Sequence, residues 1–141
     1  MAILNYTTKI DPIKTISEIQ QCLVKHGARK IITDFDSSGL AVGVTFHVEL
    51  DGQAVYFALP CNWQGVLLAM QKDKKIPRSN CTAAQAQRTG WRIVKDWIEA
   101  QMAIVEAGLA SVPEVMLPYA LLTDGQTMYQ RMKSDRTLLL G

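Results

Sequence analysis

The sequence predicts an α+β fold: an antiparallel three- to four-stranded meander packed against helices, with one long oligomerising helix. Three features carry that expectation. The chain opens with a punctuated amphipathic segment, passes through three runs of alternating polarity joined by turn sequences, and then holds helical periodicity from residue 82 to residue 110. At 141 residues, 1–141 is expected to form a single domain. Its parts are an α-β-β-β-α half over 1–72, the long helix over 82–110 and a C-terminal extension over 111–141.

The first helix is "KTISEIQQCLVKHGA". Thr15 and Glu18 have the spacing of a capping box, in which each side chain satisfies a backbone N–H at a helix start. Ile16, Ile19 and Leu23 form one apolar stripe, and Gly27 supplies a left-handed stop. "RKIITDF" then reads as a strand running into the turn "DSSG". In "LAVGVTFHVEL", Val42, Val44, Phe46, Val48 and Leu50 face one way, while Gly43, Thr45, His47 and Glu49 face the other. Asp51–Gly52 is a strong hairpin signal, and "QAVYFALP" returns with Val55, Phe57 and Leu59 on one face. A short helix begins near Asn62, with Trp63, Val66, Leu67 and Met70 as its apolar positions. "QKDKKIPRSN" is a basic connector broken by Pro77. Thr82 and Gln85 again have capping-box spacing and open the long helix. After residue 110, two prolines and a Gly125 turn predict a loop or short helices ending in an amphipathic turn or two.

Composition narrows the function. With 48% hydrophobic and 20% charged residues, this is an ordinary globular chain able to bury a core. A net charge of +2 is too small to mark a nucleic-acid binder, so any anion site has to come from local clustering. No run approaches the ~18 apolar residues of a membrane span, and "MAILNYTTKIDPIK" lacks the apolar stretch of a signal peptide. Cys22, Cys61 and Cys81 are odd in number and lack CxxC spacing. They read as reduced thiols in a cytoplasmic compartment, serving no metal.

The long helix raises the sharpest question. At about 100° per residue, Trp91, Ile93, Val94, Trp97, Ile98, Met102, Ile104, Val105 and Leu109 cover about half its circumference. A helix packed on one sheet face needs an apolar arc only a little over about 100° wide. Either this helix is central in the monomer, or a second face is buried against another subunit. A chain this short with only one other long helix points to the second, a homo-oligomer built largely on 82–110. The remaining arc carries Arg88, Arg92 and Lys95 early and Asp96, Glu99 and Glu106 late, the reverse of what the helix dipole favours. Pairing of Arg92 with Asp96 and of Lys95 with Glu99, at i,i+4, accounts for some of this. Arg88 is different: Ala84, Gln85, Trp91 and Arg92 are its helical neighbours, and none is acidic. Arg78, Ser79 and Asn80 lie just upstream. A guanidinium fork and the free N–H groups of a helix start both suit a phosphate. Arg78, Ser79, Asn80, Arg88 and Arg92 are therefore the candidate ligand-binding residues, with a structural ion pair as the alternative for Arg88.

Other chemistry is sparse. His26 and His47 have no Cys, Asp or Glu at metal-ligand spacing, and Asp34 and Asp36 flank Phe35 in ordinary turn fashion. No nucleophile elbow, phosphate-binding loop, dinucleotide fingerprint or HExxH occurs. The expectation is a protein that is not an enzyme and carries no cofactor.

Four segments, "YTTKIDPIKTISEIQ", "HGARKI", "WRIVKDWIEAQMAIVE" and "LPYALLTDGQTMYQ", resemble small phage and prophage proteins, identified here with the anti-Thoeris sponge family. The resemblance implies a phage protein that binds and sequesters cyclic nucleotide immune signals in the cytoplasm of the infected bacterial host. The ligands it implies are cyclic ADP-ribose isomers, with cyclic oligonucleotides at separate sites in some members. It further implies assembly through helices into dimers and larger rings, up to hexamers. Pockets would lie at subunit contacts with arginines on phosphates, and there would be no catalysis. A rival reading is a small nucleic-acid-binding accessory protein, since α-β-β-β-α superficially matches a double-stranded-RNA-binding domain. That fold needs lysines at the start of its second helix, and "NWQGVLLAM" has none. A purely structural phage protein is the third possibility.

Overall fold

A computed structural model describes residues 2–139. Helix α1 (Pro12–Lys25) is followed by strands β1 (Lys30–Phe35), β2 (Ala41–Leu50) and β3 (Gln53–Pro60). Helices α2 (Trp63–Lys72), α3 (Ala83–Glu106), α4 (Val112–Met116) and α5 (Met128–Ser134) complete the chain, with three short 3-10 turns between or after them. The class is α+β, with a three-stranded antiparallel sheet in the order β1-β2-β3.

Helix α1 starts one turn earlier than the sequence suggests. Asp11 is its cap, accepting from the Ile13 N–H, and Pro12 occupies the first turn, where a missing N–H costs nothing. Thr15 is instead fully buried inside the helix. Glu18 faces α3, so no capping box forms there. The stripe Ile16, Ile19 and Leu23 is buried as its spacing requires.

β3 pairs with β2 along its whole length, from Gly43–Pro60 to Leu50–Gln53. The hairpin turn has positive φ at both central residues, Asp51 (52°) and Gly52 (79°), the twist that suits antiparallel strands. Val44, Phe46, Val48, Phe57 and Leu59 form the helix-facing side, and Phe46 stacks on Phe57 at 5.3 Å between ring centres. Beyond β3, Ala120 forms an isolated bridge with Phe57, and the Leu121 N–H donates to the Tyr56 carbonyl. This short stretch is the rudiment of a fourth strand.

α3 runs through the middle of the helical layer. On one flank it meets α1, through Arg92 and Lys95 with Glu18. On the other it meets α2, where a Cβ on Gly90 would stand 3.3 Å from the Cys61 Sγ and 3.5 Å from Val66. Beneath it, Trp91, Ile98 and Met102 are buried in the core shared with the sheet and α4, and Val94, Trp97 and Val105 pack against that core. The wide apolar arc is thus largely used within one chain, which favours the central-helix reading over a second subunit face. The helix stops at Glu106, short of residue 110. Gly108 adopts φ 74°, while Leu109 N–H bonds to the Ile104 carbonyl and Gly108 N–H to that of Val105, a Schellman stop. Leu109 consequently projects into solvent. The C-terminal extension holds α4 and α5, with α5 opened by a capping box between Thr127 and Gln130. Among the described residues, no helix is long and apolar enough to cross a membrane.

Candidate functional site

The structure separates the residues that the sequence grouped. Arg88 turns its fork onto a neutral group: Nε and Nη2 both donate to Gln85 Oε1, at 3.0 and 2.6 Å. The Gln85 amide nitrogen in turn donates to the carbonyls of Tyr6 and Thr8, both at 2.8 Å. Gln85 therefore does not reach back to Thr82; only half of the expected capping box exists, the Thr82 hydroxyl accepting from Gln85 N–H at 3.1 Å. Among the described residues, no carboxylate pairs with Arg88.

Arg92 is engaged elsewhere. Its Nη1 lies 3.1 Å from Glu18 Oε1 and 3.4 Å from the Thr15 hydroxyl, and its side chain is only 15% exposed. The expected Arg92–Asp96 pair is not formed, because α1 offers a better-enclosed carboxylate and Asp96 accepts from the Asn5 side chain at 2.9 Å. Lys95 does pair with Glu99 on its own helix and adds a contact to Glu18. Arg92 thus joins two helices. Its charge is already met.

Arg78, Ser79 and Asn80 form a 3-10 turn ahead of α3. Arg78 lines a hollow of about 420 Å³ with Gln71, Asp73, Lys74, Ile76 and Cys81, and Arg88 is not among its lining residues. Ser79 is exposed, its hydroxyl 3.5 Å from Asn80 Oδ1.

A second cavity, of about 510 Å³, was not foreseen. Val42 and Gly43 at the start of β2 and Ala58, Leu59 and Pro60 at the end of β3 form one wall. Tyr119, Thr127 and, from α5, Tyr129, Gln130 and Lys133 form the other, with Asp34 of β1 on the rim. Local structure fixes this wall. The Thr127 cap starts α5, the Met128 N–H donates to the Ala120 carbonyl at 2.8 Å, and Tyr119 packs edge-on against Trp97. Thr45 Oγ1 donates to Asp34 Oδ2 at 2.9 Å and holds that carboxylate. At Gly43 a Cβ would stand 3.0 Å from the Leu59 carbonyl oxygen, so a side chain there would press on the neighbouring strand's backbone. Small-molecule sites are typically clefts of about 300–1,000 Å³ with mainly apolar walls and a few polar groups, and this cavity fits that description. Two tyrosines contribute aromatic surface, and Gln130 offers its amide nitrogen, its Oε1 being taken by the Thr127 N–H at 2.8 Å. Asp34 offers a carboxylate oxygen, and Lys133 offers one positive charge.

A third cleft, of about 430 Å³, lies between α1 and the end of α3, lined among others by Glu18, Lys25, His26, Glu99 and Glu106. His26 Nε2 lies 2.7 Å from Glu106 Oε1, and its Nδ1 lies 2.7 Å from the Cys22 carbonyl. The hydrogen bond from His26, aided by Lys25, holds the Glu106 carboxyl below its ordinary range. Acidic and basic groups here pair with one another. The three cysteines are free thiols, and burial pushes the Cys61 thiol up to about 12. Among the described residues, no three His, Cys, Asp or Glu side chains are placed to hold a metal ion.

Comparison with protein families, curated proteins and solved structures finds no match to this chain.

The cavity under α5 was invisible in the sequence because its residues come from five separate segments between Asp34 and Lys133 and share no spacing. The one usable signal was the tyrosine pair, Tyr119 and Tyr129, flanking the Gly125 turn.

Proposed function

We propose that this chain is a non-enzymatic sponge that binds and sequesters a small cyclic nucleotide of the cyclic ADP-ribose type. In this reading it acts in the cytoplasm of an infected bacterial host and works as a homo-oligomer. The observation that carries the proposal is the cavity of about 510 Å³ under α5. Tyr119 and Tyr129 suit the faces of a purine, Gln130 and Asp34 suit base-edge or ribose hydrogen bonds, and Lys133 suits a phosphate. The segment resemblance described above points to the same ligand class. Arg88, whose charge meets no described carboxylate, and Arg78 beside Lys74 are proposed as separate anion contacts outside this cavity.

Thermal unfolding in the presence of cyclic ADP-ribose isomers tests the reading. A ligand that binds only the native state at about 100 times its Kd stabilises by about 2.7 kcal/mol, a clear upward shift in Tm. Tyr129→Ala and Lys133→Ala, both at exposed positions, should abolish the shift while leaving the unliganded Tm unchanged. The rival reading makes the opposite prediction. The chain would bind an oligonucleotide through Lys72, Lys74, Lys75 and Arg78, with an affinity that falls steeply as salt rises, and cyclic nucleotides would leave Tm where it was.

A further inference from the structure

We infer that two copies of this chain pair through the outer edge of β1, antiparallel about a two-fold axis, so that one sheet runs across both. The two edges of the sheet are treated differently. β3 is covered by the bridge at Ala120 and the bond from Leu121 to Tyr56, whereas among the described residues nothing pairs with the outer edge of β1. An uncovered edge presents a row of unmet N–H and C=O groups, and proteins usually blunt such edges with proline, a bulge or a covering segment. β1 contains no proline, and its one irregularity falls at its very end, between Asp34 and Phe35. The charges that would repel a foreign strand, Lys30 and Asp34, are of opposite sign.

The strand is complementary to itself in charge. In β1, Lys30, Ile32 and Asp34 share one face, opposite His47, Thr45 and Gly43 of β2. An antiparallel pairing centred on Ile32 sets Lys30 of each copy opposite Asp34 of the other and Ile32 opposite Ile32. Thr33 then faces Ile31 on the helix side, and just outside the strand Arg29 meets Phe35, a cation against an aromatic ring. Sliding the register by two residues sets Asp34 opposite Ile32 or Ala28 and Lys30 opposite Asp36 or Ile32, so only the pairing centred on Ile32 matches both charges of the strand. Exposure agrees with an unmet partner: Ile32 is 43% and Phe35 63% exposed. On the helix side, Phe35 continues this surface onto α1, where Ile13 is 79% exposed and lines the same groove as Thr33 and Phe35. The occupant is thus a second copy of this chain, and the contact is distinct from any made by α3.

Sedimentation equilibrium on the full chain, from low to high micromolar concentration, tests the inference. The expected result is a reversible dimer for the wild type. Lys30→Asp sets carboxylates against each other and should leave a monomer with an unchanged circular dichroism spectrum. Combining Lys30→Asp with Asp34→Lys restores opposite charges across the axis and should bring the dimer back. A wild type that stays monomeric throughout overturns the inference, as does an assembly indifferent to Lys30→Asp.

Discussion

Gln85 offers the most direct test of how the N-terminal segment is held. It is a buried polar residue, 7% exposed, and its amide bonds to the Tyr6 and Thr8 carbonyls and to both nitrogens of the Arg88 fork. Gln85→Leu keeps the volume and the helix propensity but removes all of these. Two neutral hydrogen bonds at about 1 kcal/mol each, plus a charged pair near the low end of about 1.5–3 kcal/mol, give a loss of roughly 2–4 kcal/mol. The low end applies to Arg88 because it is only partly buried, so water can replace part of the contact. For a domain of this size, about 3–4 °C in Tm follows each kcal/mol, so the variant should melt roughly 6–16 °C lower. Differential scanning calorimetry reads that number. Limited trypsin digestion should in parallel show faster cleavage after Lys9, since Tyr6 and Thr8 lose their anchor. A Tm within about 2 °C of wild type, with unchanged cleavage, would refute the account of Gln85 as the tether.

Four further outcomes follow. Gly90→Val should lower stability by about 1–3 kcal/mol in urea titration, because its Cβ already meets Cys61 and Val66; Gly90→Ala should be near neutral, about 1 kcal/mol of helix propensity offsetting the squeeze. Cys61, buried and with its thiol pushed up to about 12, should resist iodoacetamide in the native protein and react only in denaturant, as read by mass spectrometry. Glu106, held below its ordinary range by His26 and Lys25, contributes stability that is present above its unfolded value of about 4.3 and lost as pH falls through its lower folded value. Glu106→Gln should therefore lose less Tm than wild type on acidification through that window. Arg88→Ala should lower the unliganded Tm by about 5 °C through its lost contact with Gln85 and, in calorimetric titration, also weaken binding of an anionic nucleotide by about 1.5–3 kcal/mol, and Arg88→Lys should recover only part of the binding. Unchanged affinity with a lower Tm assigns Arg88 to the Gln85 network alone.

The elements were legible in the sequence where local signals and tertiary packing agree. The β2–β3 hairpin is one case, since alternation and Asp51–Gly52 demand the same pairing. The N-cap of α2 at Asn62 is another. Readings slipped where two local signals competed. Thr15 and Glu18 have capping-box spacing, yet Asp11–Pro12 makes the better start, and it frees Glu18 to meet Arg92 and Lys95. Arg92 and Asp96 have helix-pair spacing, yet each finds a partner on another segment. Periodicity gave the width of the apolar arc on α3 but not what covers it, because the flanking position of α2 depends on Gly90, Cys61 and Val66 meeting in space. The α5 cavity was illegible for the same reason.

The central claim is that the chain captures a cyclic nucleotide without altering it. Native mass spectrometry of the wild type mixed with cyclic ADP-ribose isomers and cyclic oligonucleotides reads bound mass, ligand integrity and assembly size together. The account predicts retention of an intact cyclic ADP-ribose isomer by the wild type, lost in both Tyr129→Ala and Lys133→Ala. No retained nucleotide, a ligand recovered with altered mass, or retention indifferent to both substitutions would contradict it.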